Sequence, residues 1–109
     1  MSVEDLKTID CIGIPIEAPY EVTLGISDHL DWGAFDEHLY MLQEKINTYL
    51  RFIESEEIYQ SFPPAVHTTK KAIEIFFKYE PPSQAVLFLN HVTNILKELC
   101  IELKIRVDE

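Results

Sequence analysis

The chain has 109 residues, 47% of them hydrophobic and 26% charged, with 19 acids against nine bases and a formal net charge of −10. That composition belongs to one ordered globular domain and excludes a disordered tail or a fibre. The acidity opposes attraction to nucleic-acid phosphates and anionic lipid, and the apolar runs fall short of the roughly 20 residues a membrane span needs, so neither partner is expected.

The start, Met1 to Thr8, is polar, holds two early acids and lacks an apolar signal region, so a cytoplasmic protein is expected. Ile9 to Ile16 is rich in isoleucine and reads as a strand that Pro15 marks as an edge or ends. Cys11, within it, and Cys100 lack the paired spacing of a zinc or redox site, and their apolar neighbours suggest buried free thiols. Glu17, Ala18 and Pro19 form a turn. Tyr20 to Ser27 then alternates, with Val22, Leu24 and Ile26 on one face, as a half-buried strand does; a β-hairpin is the simplest link.

From Asp31 to about Ile53, Phe35, Leu39, Leu42, Ile46, Tyr49, Leu50 and Ile53 recur at steps of three and four, the signature of an amphipathic helix. Asp31 is the expected N-cap, and Leu30 with Phe35 would form a hydrophobic staple. Glu54, Glu56 and Glu57 sit where the helix dipole disfavours acids, so a break is predicted near Ser55, with Ser55 capping a short helix through Tyr59. Pro63 and Pro64 open a surface loop to about Thr69.

Lys71 to Glu80 alternates again, with Ile73, Ile75, Phe77 and Tyr79 inward and Glu74, Phe76 and Lys78 outward. Pro81 and Pro82 preset a helix start, and Ala85, Phe88, Leu89, Val92, Ile95, Leu96 and Leu99 form its apolar stripe. Ile101, Leu103, Ile105 and Val107 oppose Glu102, Lys104, Arg106 and Asp108 in a last strand. The order ββαβαβ, with one-sided strands, predicts an α+β fold: a two-layer α/β sandwich with a four-stranded mixed sheet and two helices on one face, over the single domain 1–109. A right-handed crossover sets the third and fourth strands parallel.

No residue pattern names a reaction. The four histidines lack paired ligand spacing, the acids near Asp31 are explained by helix capping, and no Gly-rich phosphate loop or nucleophile elbow occurs, so no catalytic residue, cofactor or metal is expected. His38 and Lys45, seven apart, share a flank of the long helix; a boundary position against the sheet is the first reading, and proton transfer would require a carboxylate nearby in space. With Trp32 they outline a candidate pocket. Gln43, Asn47 and Glu54 share the other flank. Phe76 stands among Lys78, Lys104 and Arg106 on the open sheet face, as an aromatic anchor in a charged rim would. From Asp28 to Glu57 there are eight acids and two bases, so a basic protein could dock on the first helix.

The stretch His38-Leu39, Leu42-Gln43, Lys45, Asn47, Tyr49-Leu50 and Phe52-Ile53-Glu54-Ser55, preceded by Ile12-Gly13, Asp28 and Leu30-Asp31-Trp32, resembles an uncharacterised family of small bacterial domains. The resemblance implies bacterial origin and a single-domain fold, and implies no reaction. Glu56 departs from it, standing where the family pattern has a glycine. The leading expectation is a non-catalytic cytoplasmic protein-binding module, in its concrete version an acidic immunity-type protein that blocks a basic toxin or nuclease. The second is a small enzyme or ligand-binding domain with a pocket near Trp32 and His38. A homodimer through the open sheet or an edge strand is compatible with both.

Overall fold

Val22, Leu24 and Ile26 turn one face of β2 (Glu21–Asp28) into the centre of the core, as their alternation requires. β1 (Cys11–Gly13) pairs with it antiparallel, Ile12 opposite Leu24. The first strand is thus much shorter than Ile9 to Ile16, and the loop back to β2 turns at Pro15 and Ala18, whose carbonyls accept from the N–H groups of Ala18 and Glu21. A computed structural model describes residues 2–108 of the chain.

α1 (Phe35–Glu54) crosses the sheet and buries His38, Leu42, Lys45, Ile46, Tyr49, Phe52 and Ile53. It starts one turn later than Asp31: Ala34 occupies the N-cap, and Asp31 instead accepts the Gly33 N–H at 2.9 Å, folding the approach into a turn. α1 breaks at Ser55 as its acids require, but Ser55 is its C-cap, and Glu56, at φ 66°, is the left-handed residue that turns the chain into α2 (Glu57–Ser61). A 3-10 turn, Pro63–His67, leads to β3 (Lys70–Phe77). α3 (Ser83–Glu98) follows, and β4 (Ile101–Val107) ends the sheet.

The strand order is β1-β2-β3-β4, with β2, β3 and β4 parallel, so both α1 and α3 are crossover helices on one face. The structure is α+β with an open, mixed four-stranded sheet. Ile73, Ile75 and Phe77 extend the apolar face of β2 across β3, whereas Tyr79, expected inward, lies beyond the strand and is exposed. Ile101 is buried under α3, but the later β4 residues emerge from it.

The other face stays uncovered by helices. Gly25 has a reason there: a Cβ would come within 2.4 Å of the Cys11 Sγ and 3.2 Å of Phe76, which meet above it. Both cysteines are free and exposed, against the expectation of burial, because Cys11 points to this open face and Cys100 forms the turn after α3. Among the described residues, no helix is long and apolar enough to cross a membrane.

Candidate functional site

His38, Leu42, Lys45, Tyr49 and Phe52 follow one another at steps of four, three, four and three, which places all five on the most buried line of α1. Two ionisable residues therefore sit where the helix meets the sheet, and each must find a partner.

His38 finds the carboxylate of Asp28, the last residue of β2. Nε2 lies 2.6 Å from Asp28 Oδ2, and Nδ1 lies 3.1 Å from the backbone oxygen of Asp31. A carbonyl only accepts, so Nδ1 carries a hydrogen, and the short contact holds one further proton between Nε2 and the carboxyl. Asp28 Oδ1 accepts the Leu30 N–H at 3.1 Å. Burial pushes the Asp28 carboxyl above its ordinary range, and the hydrogen bonds and charge supplied by His38 and Leu30 offset only part of that. Trp32 closes the site: its ring stacks on His38 at 3.8 Å between centroids and 21° between planes, and its Nε1–H donates to the Tyr79 carbonyl at 3.3 Å. The carboxylate that proton transfer would require is present, yet both imidazole nitrogens are engaged and the ring is 1% exposed. A depression of about 380 Å³ lies alongside, lined by Glu4, His29, Asp31, Glu37, Met41 and Tyr79 with His38 at its floor.

Lys45 belongs elsewhere. Two turns along α1, about 10 Å away, its ammonium donates to the carbonyls of Asp5 and Thr8 and to Asp10 Oδ1 at 2.8 Å. Asp10 Oδ2 accepts the Ser27 N–H at 3.0 Å, and the Asp10 N–H donates to the Tyr49 hydroxyl, which in turn donates to the Gly25 carbonyl. Burial drives the Tyr49 phenol well above its ordinary value. With Val3 buried and its N–H on the Ser27 carbonyl, this network fastens the N-terminal segment against the middle of α1. Trp32 and His38 thus share a site, and Lys45 does not. The heptad spacing through Leu42 and Tyr49 was the sequence signal that both polar residues are fully buried.

On the open sheet face, Phe76 is 46% exposed. Its charged neighbours are mutually compensated: Arg106 donates to Glu74 at 2.6 Å, Lys104 to Glu21 at 2.6 Å, and Lys70 to Glu102 at 2.6 Å. Ala72, small and buried beneath them, lets Lys104 and Lys70 lean towards Glu21. Burial works against the ionised Glu21, but the hydrogen bonds from Lys104 and Thr23 and the charges of Lys104 and Lys70 win, so its carboxyl lies below the ordinary range. Lys78 lies at the strand end with its ammonium 5.6 Å from the Tyr79 ring.

The outer flank of α1 divides. Gln43 and Asn47 line a groove of about 240 Å³ against Phe88, His91 and Ile95 of α3. Glu54 lies apart, with Lys7, Arg51 and Ser55 around a wider depression of about 730 Å³. Between them and the helix start, Tyr40 is 60% exposed, with Asp36 and Glu37 one turn before it and Glu44 one turn after. Among the described residues, Asp36, Glu37, Glu44, Glu54, Glu56 and Glu57 make no ion pair, and no three His, Cys, Asp or Glu side chains converge as metal ligands would.

No curated protein and no solved structure matches this chain. A family model does, over residues 1–109, and its description is a family of unknown function, DUF6572. The chain, whose long helix sets His38 against Asp28 and Lys45 against Asp10, belongs to that family.

Proposed function

We propose that the chain is a non-catalytic protein-binding module of a bacterial cytoplasm and that the outer face of α1 receives a basic protein. One observation carries the reading: Lys70, Lys104 and Arg106 on the open sheet face are neutralised by neighbouring carboxylates, whereas the acids around Tyr40 have no basic partner among the described residues. Uncompensated charge of one sign steers a partner of the opposite sign, and an exposed tyrosine between carboxylates suits an arginine, whose guanidinium stacks on the ring while the acids accept its hydrogen bonds. In the concrete version the partner is a basic toxin or nuclease that this domain holds inactive.

The test is a capture from a lysate of the native host with the wild-type chain and with Tyr40→Ala and Glu44→Lys variants. A basic partner that is lost with either variant and released by salt is the expected result. Capture unaffected by both substitutions, or an acidic partner, sinks the reading. The other reading, a ligand-binding or catalytic domain at Trp32 and His38, draws on the depression beside the Asp28–His38 pair. It requires a ligand to lift Trp32 off the His38 ring face and to displace Asp28 or the Asp31 carbonyl from a ring nitrogen, so a small-molecule screen that leaves the fluorescence of this single tryptophan unchanged counts against it.

A further inference from the structure

The two edges of the sheet are unequal. β1 contributes three residues before Pro15, which offers a neighbour little to pair with. β4 contributes seven, Ile101–Val107, with no proline and no glycine, in unbroken register with β3. A strand of that length presents a row of unpaired backbone N–H and C=O groups, and soluble proteins usually blunt such an edge with a bulge, a proline or a covering loop. Of the devices that blunt an edge, β4 carries only charged side chains, Glu102, Lys104 and Arg106, and each is already paired within its own chain.

The side chains at this edge are also unfinished. On the helical face, Ile105 is 42% and Val107 39% exposed, and Val86 of α3 is 42% exposed. Val86 lies two turns before Thr93, on the flank of α3 that meets Leu103. α3 runs antiparallel to β4, so that flank carries Val86 towards the exposed end of the strand.

We infer that β4 pairs antiparallel with β4 of a second copy, about a two-fold axis at Lys104, to make one continuous eight-stranded sheet. The sequence Ile-Glu-Leu-Lys-Ile-Arg-Val is self-complementary in that register. Glu102 faces Arg106 of the second copy, and Arg106 faces its Glu102. Ile101 faces Val107 and Leu103 faces Ile105, which covers the exposed apolar residues with their own counterparts. Lys104 faces Lys104, the one like-charge pair. Each ammonium is already drawn away from the edge, over Ala72, to its own Glu21 at 2.6 Å. Sliding the strands towards Ile105 would set Lys104 against Arg106, and sliding them the other way leaves Val107 without a strand partner. A two-fold interface requires such a self-matching patch, and the pairing adds about six to eight backbone hydrogen bonds.

The test is sedimentation of the intact chain over a concentration series, followed by charge exchange. Dimer formation by the wild-type chain is expected, weakened at least tenfold in both E102R and R106E, since each sets like charges against each other. An equimolar mixture of the two single variants should associate more tightly than either alone, because every cross-pair then joins opposite charges. That readout survives any loss of the internal pairs with Lys70 or Glu74, which the mixture does not restore. A wild-type chain that stays monomeric near about 1 mM overturns the inference. So does a dimer that is indifferent to both variants, or a mixture no tighter than its components.

Discussion

Asp28, at the end of β2, and His38, in the second turn of α1, meet at 2.6 Å with both side chains closed off from solvent and Trp32 stacked over the ring. The pair joins the central strand to the long helix, and every polar atom in it is engaged. Asp28→Ala leaves Nε2 of His38 buried without a partner and should cost about 2–4 kcal/mol. Asp28→Asn keeps an acceptor for the Leu30 N–H and supplies an amide donor to Nε2, so it should stay within about 1 kcal/mol of wild type. Urea unfolding compares the two, and an alanine variant as stable as the asparagine one refutes the role assigned to this contact.

Lys45 and Asp10 hold the N-terminal segment to the helix. Lys45→Met strands the Asp10 carboxylate in a site where it is 5% exposed and should cost about 3–5 kcal/mol. Adding Asp10→Asn should recover a good part of that loss. Limited proteolysis gives the local readout: cleavage between residues 2 and 10 should speed up in the single variant and slow again in the double. Equal cleavage rates in all three chains would show that the segment is held by other contacts.

Both long helices end on a left-handed residue that is not glycine: Glu56 at φ 66° after α1 and Cys100 at φ 62° after α3. A side chain in that conformation strains against its own backbone by about 1 kcal/mol, and glycine does not. Glu56→Gly and Cys100→Gly should therefore each raise the unfolding free energy by about 0.5–1 kcal/mol. A thermal melt that shows both variants less stable than wild type contradicts the conformation.

Acid should weaken the sheet through Glu21. Its carboxyl is held below the ordinary range in the folded protein, so its pairs with Lys104 and Lys70 contribute fully above the unfolded value of about 4.3 and fade as pH falls through the folded one. Asp28 has the opposite sign: its raised carboxyl favours the folded state below the ordinary range, and that contribution is lost as pH rises through the raised value. Glu21→Gln should thus lower the melting temperature at pH 7 and flatten its decline between pH 5 and pH 3. An acid limb as steep as wild type would assign acid sensitivity to other carboxylates.

Most of the fold was legible in residue periodicity. Period two marked β2, β3 and β4, and steps of three and four marked α1 and α3, because each element buries one face and the pattern records which. The break after Ser55 was legible from three acids at the wrong end of a dipole, although the residue that makes it is Glu56. The first strand was overread because isoleucines at 9, 14 and 16 also serve loops, and the helix start was placed a turn early because Asp31 caps a turn as readily as a helix. Of the candidate residues, Trp32 and His38 stack on one another, whereas Lys45 lies two turns away on Asp10 and Glu54 lies apart from Gln43 and Asn47.

The sequence by itself determined the elements, their buried faces and the excess of acid on the first helix, since these are properties of neighbours along the chain. Partners distant along the chain were decided only by the tertiary structure. Asp28 is ten residues from His38, Asp10 is 35 from Lys45 and Glu21 is 83 from Lys104, and no local pattern encodes which carboxylate each cation reaches. The strand order brought those groups together, and in doing so it separated buried pairs that hold the fold from the uncompensated acids around Tyr40 and left β4 at the edge of the sheet.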